Sequence, residues 1–313
     1  MFRIVFFGTP LLACPFFEKI VTSHDCEIVA CVTQPDAPAG RHQHLSPSPI
    51  KTLATKYNIP CFTFPTLRSK EVETTLKNLQ ADLFVVVAYG NIIPESLLLI
   101  PPLGTLNMHP SLLPEYRGPS PIPGPILDGK QETGITCMLL DKGMDTGPII
   151  RQTHFSLNSD ETTETLTQKI MQLGPPFFLE SLLAFARKEV SAYPQPQNTA
   201  STTTLFTREM GRIHWNTPAE IIERRIRALN PWPGTWTTLQ HDMKTKRLKI
   251  LAATLTNKAS IPPGKIIQEE NRILIGTATQ PIELTRVQME GANACTAQAW
   301  IRGYSQFIGT VLG

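Results

Sequence analysis

The stretch DLFVVVAYG, residues 82–90, decides how the chain is read. Its centre, LFVVV, is apolar without interruption. A strand with one face in water alternates apolar and polar residues, whereas a strand covered on both faces reads as a continuous apolar run. Four further runs of the same texture flank it: RIVFFG (3–8), EIVACVT (27–33), GTLNMH (104–109) and GITCMLLD (134–141). Helical patterns lie between several of them, namely LLACPFFEKIVTS (11–23), SPIKTLATKY (48–57) and SKEVETTLKNLQ (69–80). Apolar strands alternating with helices predict an α/β domain with a largely parallel, doubly wound, Rossmann-like sheet.

Moving outward, DETTETLTQKIMQLG (160–174) predicts a helix with an Asp cap. Gly174, Pro175 and Pro176 are expected to end it, with ESLLAFARKEV (180–190) as a separate helix. Next comes YPQPQNTASTTTLFT (193–207), rich in Pro, Ser and Thr and nearly free of charge. It reads as a connection. The expected organisation is a first domain over 1–189, a linker over 190–206 and a second domain over 207–313. In the last, PAEIIERRIRALN (218–230) predicts a helix. The runs RLKILAATL (247–255), RILIGTA (272–278) and IELTRVQ (282–288) predict a small β-barrel or sandwich.

Charge divides along the same line. Residues 1–206 carry 15 Lys and Arg against 18 Asp and Glu, and residues 207–313 carry 14 against 8. The net +3 of the chain therefore combines −3 in front with +6 behind, and a basic half suits a polyanionic partner. No apolar run approaches a membrane span. MFRIVFFGTP reads as a first strand instead of a signal peptide, so the expected location is cytoplasmic. The six cysteines form no C-x-x-C pair and sit mostly in apolar runs, so they read as buried, reduced thiols, and no metal site is expected. FFGTP (6–10) has one glycine and does not make the G-x-G-x-x-G of a dinucleotide site.

The chemistry concentrates in NMHPSLLPEYRG, residues 107–118. If GTLNMH is extended, Asn107 and His109 share a face at the carboxyl end of a strand, where open α/β sheets bind ligands. An amide donor beside a titratable donor suits an oxyanion that develops during acyl transfer. A carboxylate would orient the imidazole and favour its charged form, and LLDKGMDTG (139–147) offers Asp145, with Asp141 as rival. Singly, each residue also has a bland reading as a turn cap or a bonded strand-end side chain.

Together, N-x-H-P-S-L-L-P-x-Y-R-G followed by D-x-G-x-D-T-G resembles the 10-formyltetrahydrofolate-dependent formyltransferase family across the whole front domain. The resemblance implies that Asn107, His109 and Asp145 are catalytic. It places 10-formyltetrahydrofolate, as co-substrate and without metal, against Ser111, Leu112, Leu113 and Pro114, near Tyr89, Gly90 and Asn91, and beside Asp141 and Thr146. Two further segments are similar to the branch of the family that acts on methionyl-tRNA. One is TQPDAPAGRHQHLSPSPIK (33–51), where Arg41 matches an RNA-contacting arginine but His42 and His44 stand where lysines are frequent. The other is RIHWNTPAEIIERRIRALNPWPGTW (212–236), which matches the start of an OB-like C-terminal domain.

On that resemblance the expected activity is formyl transfer to the α-amine of initiator methionyl-tRNA by a monomer. Gly8, Thr9, Pro10, Arg41, His42, His44 and Arg117 are expected on the tRNA side. Of Arg224, Arg225 and Arg227, two are expected to serve phosphate or solvent. One departure is PSPIPGPIL (119–127), where Pro123 and Pro125 are expected to break the first turn of a helix. The alternatives are a formyltransferase for an amino-sugar nucleotide, a formyltetrahydrofolate hydrolase, and an RNA-binding module without catalysis.

Overall fold

The continuous apolar runs become the interior of a seven-stranded sheet. In the computed structural model, which describes residues 1–39, 44–241 and 244–313, the front strands are β1 (Phe2–Gly8), β2 (Cys26–Thr33), β3 (Ala37–Ala39), β4 (His44–Ser46), β5 (Cys61–Thr63), β6 (Leu83–Val87), β7 (Thr105–His109), β8 (Glu132–Leu139) and β9 (Ile149–Ser156). The sheet runs β5-β2-β1-β6-β7-β8-β9, and β3 pairs with β4 apart from it. Strands β5 through β7 are mutually parallel, while β8 and β9 add in antiparallel order. The order reverses at β1, between β2 and β6, which makes a topological switch point at the carboxyl ends of β1 and β6.

Helices α1 (Cys14–Val21), α2 (Pro49–Lys56), α3 (Lys70–Asn78) and α4 (Glu95–Leu98) follow the front strands. Alternation along β1 sends Val5 and Phe7 to one face, where they pack with Val72, Leu76, Leu97 and Leu98 of α3 and α4. Phe6 goes to the other face and meets Phe17 of α1 edge-on at 5.4 Å. Ser48 and Ser69 cap α2 and α3 by accepting the Lys51 and Val72 N–H groups, which explains where those helices start.

Two expectations about helices fail for identifiable reasons. Helix α6 (Thr163–Ala186) is one element and continues through Pro175 and Pro176. Gly174 does not cap it. A Cβ there would lie 2.5 Å from the Phe16 ring and 3.0 Å from Ile135, so glycine is present because helix and sheet approach closely. Packing on both sides, including Phe16 against Phe178 at 6.0 Å, holds the helix together where the prolines remove backbone donors. Helix α5 (Pro123–Leu127) also forms, with its prolines in the first turn. Backbone N–H groups there have no intrahelical acceptor, so losing them removes nothing the helix uses.

Contacts divide the chain into Met1–Pro121, Glu132–Ser156 and Thr167–Thr203 as one unit, and Ile122–Gln131, Leu157–Leu166 and Thr204–Gly313 as a second. The second contains α7 (Ala219–Leu229), β10 (Thr235–His241), β11 (Lys244–Leu255), β12 (Ile266–Glu269), β13 (Arg272–Ile275), β14 (Ile282–Met289), β15 (Cys295–Thr296) and α8 (Ala297–Gly303). Its antiparallel sheet runs β10-β11-β14-β13-β12, with β15 on β14. Ala219, Ile222, Ile226 and Leu229 form the buried stripe of α7, and most of it joins the sheet's core. Two of the three arginines of α7 are committed locally, against the expectation that two would serve phosphate or solvent. Arg227 pairs with Glu223 at 2.6 Å and donates to the Glu161 carbonyl, while Arg225 donates to the Met210 carbonyl.

All six cysteines are free. Burial pushes the Cys14 and Cys26 thiols up to about 11, in keeping with inert packing residues. Among the described residues no helix is long and apolar enough to cross a membrane.

Candidate active site

The carboxyl ends of β1, β2, β6 and β7 meet at one edge of the front sheet. The β1 turn places the Thr9 hydroxyl 2.8 Å from the Tyr89 carbonyl, to which it donates, and the Gln34 side chain reaches the same carbonyl at 3.4 Å. Tyr89 is buried edge-on against Phe7, and burial pushes its phenol up. Gly90 and Asn91 beside it are exposed. Thus Gly8, Thr9, Tyr89, Gly90 and Asn91 come together, joined by Gln34, which the sequence reading missed.

On β7, Asn107 opposes Val86 and Met138, and His109 opposes Thr136. Both side chains are nearly buried on the same face, Asn107 at 9% and His109 at 3% exposure. The Asn107 amide makes no hydrogen bond to the described residues, and its polar tip is not fully enclosed, so it stands open at the site. His109 is engaged at both nitrogens. Nε2 lies 3.0 Å from the Tyr116 carbonyl, and Nδ1 lies 3.6 Å from Asp145 Oδ1. The other Asp145 oxygen accepts the Gly118 N–H at 2.8 Å.

Two acceptors flank the ring, so a neutral imidazole leaves one nitrogen lone pair facing an oxygen and only the cation satisfies both. Burial opposes that charge more strongly, and the pKa of His109 is lowered, with Asp145 and the Tyr116 carbonyl pulling it partly back. Asp145 acts in the expected sense, but burial sets the net direction. The ring therefore favours its neutral form at rest.

Backbone strain gathers here. Ala88, Tyr116 and Asp145 all adopt positive φ, at 48°, 61° and 54°. That conformation costs about 1–2 kcal/mol for an ordinary L-residue, and it turns the Tyr116 carbonyl and Asp145 carboxylate towards His109. The Ser111–Pro114 loop is fastened from beneath. Thr136 donates to the Ser111 carbonyl at 2.7 Å and accepts the Leu113 N–H, while Gln152 donates to both Thr136 and the Leu113 carbonyl. Leu112 covers Gly134. Thr136 sits in β8 among apolar neighbours that hid it, and a lone polar residue facing inward from such a run is the signal that would have found it. Gln152 lies in the polar stretch Arg151–His154 of β9, which carries no such signal.

Other expected residues are bonded within the first unit's own loops. Asp141 accepts the Gly143 N–H at 2.9 Å and the Thr146 hydroxyl at 2.8 Å, closing the loop that carries Asp145. Arg117 is buried at 7% exposure instead of facing a polyanion. Its guanidinium donates to Gln195 and Gln197, and its backbone pairs with Ser201 and Thr203. Residues 193–203, expected as linker, are therefore bonded into the first unit. Pro10 is exposed beside Thr9. Arg41 and His42 lie outside the described residues, and His44 is placed in β4.

Among the described residues no group of three or more His, Cys, Asp or Glu gathers to hold a metal. The open amide of Asn107, the His109–Asp145 pair and exposed loop backbone suit a flat, amide-bearing ligand and acyl transfer to a nucleophile. In the second unit, Arg247 and Lys249 line a cavity of about 210 Å³ with Gln288–Gly291. Arg247 stacks on the buried Trp236 ring at 4.2 Å and Arg212 lies 5.7 Å from it, so the exposed character of this surface is basic.

Known proteins share this organisation. A model described as formyl transferase matches residues 2–182, and one described as formyl transferase, C-terminal domain, matches residues 206–305. The methionyl-tRNA formyltransferase of Chloroflexus aggregans is 41% identical over 304 residues, covering 96% of this chain and 97% of that protein. Among solved structures, the N-formyltransferase from Helicobacter canadensis in complex with folinic acid and dTDP-3-aminofucose superposes with TM-score 0.63 at 21% identity, covering 91% of this chain and 99% of that one. HypX from Aquifex aeolicus in complex with tetrahydrofolic acid gives 0.62 at 15%, where 99% of this chain spans 48% of the other. At those identities the two structures bear on fold alone.

Proposed function

The chain belongs to the formyltransferase family, and on that premise we propose that Asn107, His109 and Asp145 transfer the formyl group of 10-formyltetrahydrofolate to the α-amine of initiator methionyl-tRNA, giving N-formylmethionyl-tRNA. The carrying observation is the unpartnered, nearly buried Asn107 amide on the same strand face as the His109–Asp145 pair. Full-length identity of 41% to a methionyl-tRNA formyltransferase supports tRNA as the acceptor over a sugar nucleotide or water.

The co-substrate supplies a formyl carbon already activated by its N10 leaving group. The amine nitrogen bonds to that carbon, the C–N10 bond breaks, and one proton passes from the amine to N10. Asn107 donates to the formyl oxygen as it becomes anionic. His109 is neutral at rest and can accept the amine proton, because the resulting imidazolium finds Asp145 on one side and the Tyr116 carbonyl on the other. Donation from Nε2 to the oxyanion requires that N–H to be shared with, or turned from, the Tyr116 carbonyl. Ser111–Pro114, braced by Thr136 and Gln152, forms a firm wall for the folate ring. The basic second unit supplies attraction for tRNA phosphates.

Steady-state formylation of methionyl-tRNA by Asn107→Ala tests the constellation. The expected loss in kcat is about 10²–10³-fold with little change in KM, as for removal of one oxyanion donor. A variant that keeps wild-type kcat removes Asn107 from the chemistry.

A further inference from the structure

We propose that Gln195 is a positioning residue for formyl transfer, setting the Asp145 carboxylate against His109 from a segment whose composition reads as a plain connection. The inference rests on the catalytic reading above. Gln195 is 5% exposed, and both ends of its amide are fully used. Its Oε1 accepts Arg117 Nε at 2.9 Å and Nη2 at 2.7 Å. Its Nε2 donates to the Asp145 carbonyl at 2.8 Å and the Gly147 carbonyl at 2.7 Å. The side chain therefore grips the Asp145 loop from behind, on both sides of Thr146.

What it grips against matters equally. Arg117 lies between the two residues that touch the pair. Tyr116 before it receives His109 Nε2, and Gly118 after it donates to Asp145 Oδ2. One tripeptide thus holds the imidazole and the carboxylate at the front, and its middle side chain reaches through Gln195 to the backbone of the same aspartate. The circuit closes on Asp145, whose positive φ needs external restraint.

The chemistry of the position selects glutamine. The site requires two acceptances from a guanidinium and two donations to carbonyls, at the length of two methylenes, and only a primary amide supplies both. Glutamate would keep the arginine contacts but set a carboxylate oxygen against two carbonyl oxygens. Methionine matches the length and makes none of the four bonds. Arg117 itself has no ion pair among the described residues, so its charge is held by amide oxygens alone. A carboxylate partner would pull the guanidinium and amide carrier together without holding the Asp145 loop.

The test is a double-mutant cycle on the full chain. Gln195→Met and Gln195→Glu are measured alone and combined with Asp145→Asn, with kcat and both KM values for 10-formyltetrahydrofolate and methionyl-tRNA. Positioning through Asp145 predicts a kcat loss of about 10–100-fold for each Gln195 variant, since a displacement near 1 Å costs on the order of 10²-fold. Both KM values should stay within about threefold. In the Asp145→Asn background the further loss should shrink to less than about twofold, because the residue acts through a carboxylate already removed. Equal losses in both backgrounds, or wild-type kcat in the single variants, overturn the inference. If Gln195→Met does not fold, Gln195→Glu carries the same cycle. Failure of both to fold makes Gln195 a stability residue only and also overturns it. Asp145→Asn alone at wild-type rate would instead sink the catalytic reading, which separates the two failures.

Discussion

Gly147→Ala should slow catalysis without removing any group that reacts. A Cβ on residue 147 would stand 1.9 Å from the Leu139 carbonyl oxygen and 3.2 Å from the Asp141 nitrogen. An ordinary carbon–oxygen contact is about 3.3 Å, so one side must retreat by roughly 1.4 Å. Leu139 is fixed in β8, whereas residues 141–144 are exposed, so the loop yields and carries Asp145 with it. If the 3.6 Å separation from His109 opens to about 5 Å, the attraction for the imidazolium form falls from about 4.6 to about 3.3 kcal/mol at an effective dielectric near 20. That difference is about tenfold in rate, and misorientation adds to it, so the expected loss in kcat is about 10–100-fold. Overpacking should also destabilise the fold by about 1–3 kcal/mol. Single-turnover formylation under saturating folate and tRNA, with circular dichroism as the folding check, measures both. A folded Gly147→Ala enzyme with kcat within twofold of wild type would refute the reasoning, since it would mean that the Asp145 position is not held through Gly147.

Three further outcomes are expected. Gly174→Ala forces a methyl to within 2.5 Å of the Phe16 ring, so urea unfolding should show about 1–3 kcal/mol of lost stability; an unchanged midpoint contradicts the close approach of α6 to the sheet. Because the His109 pKa is lowered by burial from 6.5, the unfolded ring binds a proton near 6.5 while the folded ring resists. Wild-type stability should therefore fall as pH drops below 6.5, by more than in His109→Gln, and parallel stability–pH curves would count against a buried neutral ring. Arg247→Ala should weaken tRNA binding, make the salt dependence shallower by about 1, and leave folate binding alone; an unchanged salt slope removes Arg247 from the phosphate contacts.

The runs around LFVVV were legible as a buried sheet because strands covered on both faces leave a simple record of continuous apolarity, and Asn107 with His109 was legible because a period of two fixes their common face. The length of α6 was not legible. Gly174-Pro175-Pro176 has the local chemistry of a stop, and what overrides it is a tertiary contact with Phe16 and Ile135 from distant parts of the chain. Pro123 misled for a related reason, since a proline's cost depends on its place in the helix and the first turn is the exempt place. Arg117 was expected on the tRNA side, and its burial was not legible because its partners, Gln195 and Gln197, lie 78 and 80 residues away. Composition describes that segment as a connection, and only the fold shows that it grips the Asp145 loop. The charge state of His109 was legible in part. The neighbouring carboxylate could be expected from the loop at 139–147 and the family resemblance, but the depth of burial that outweighs it could not.

The central claim is formyl transfer to an initiator tRNA, and the most direct measurement is transfer from 10-formyltetrahydrofolate to methionyl-tRNA charged on initiator and elongator species side by side. The account predicts fast N-formylmethionyl product on the initiator species, slow product on the elongator, and loss of about 10²–10³-fold with Asn107→Ala. Turnover of the folate with no formyl-methionine on either tRNA would contradict it and move the acceptor to a sugar nucleotide or to water.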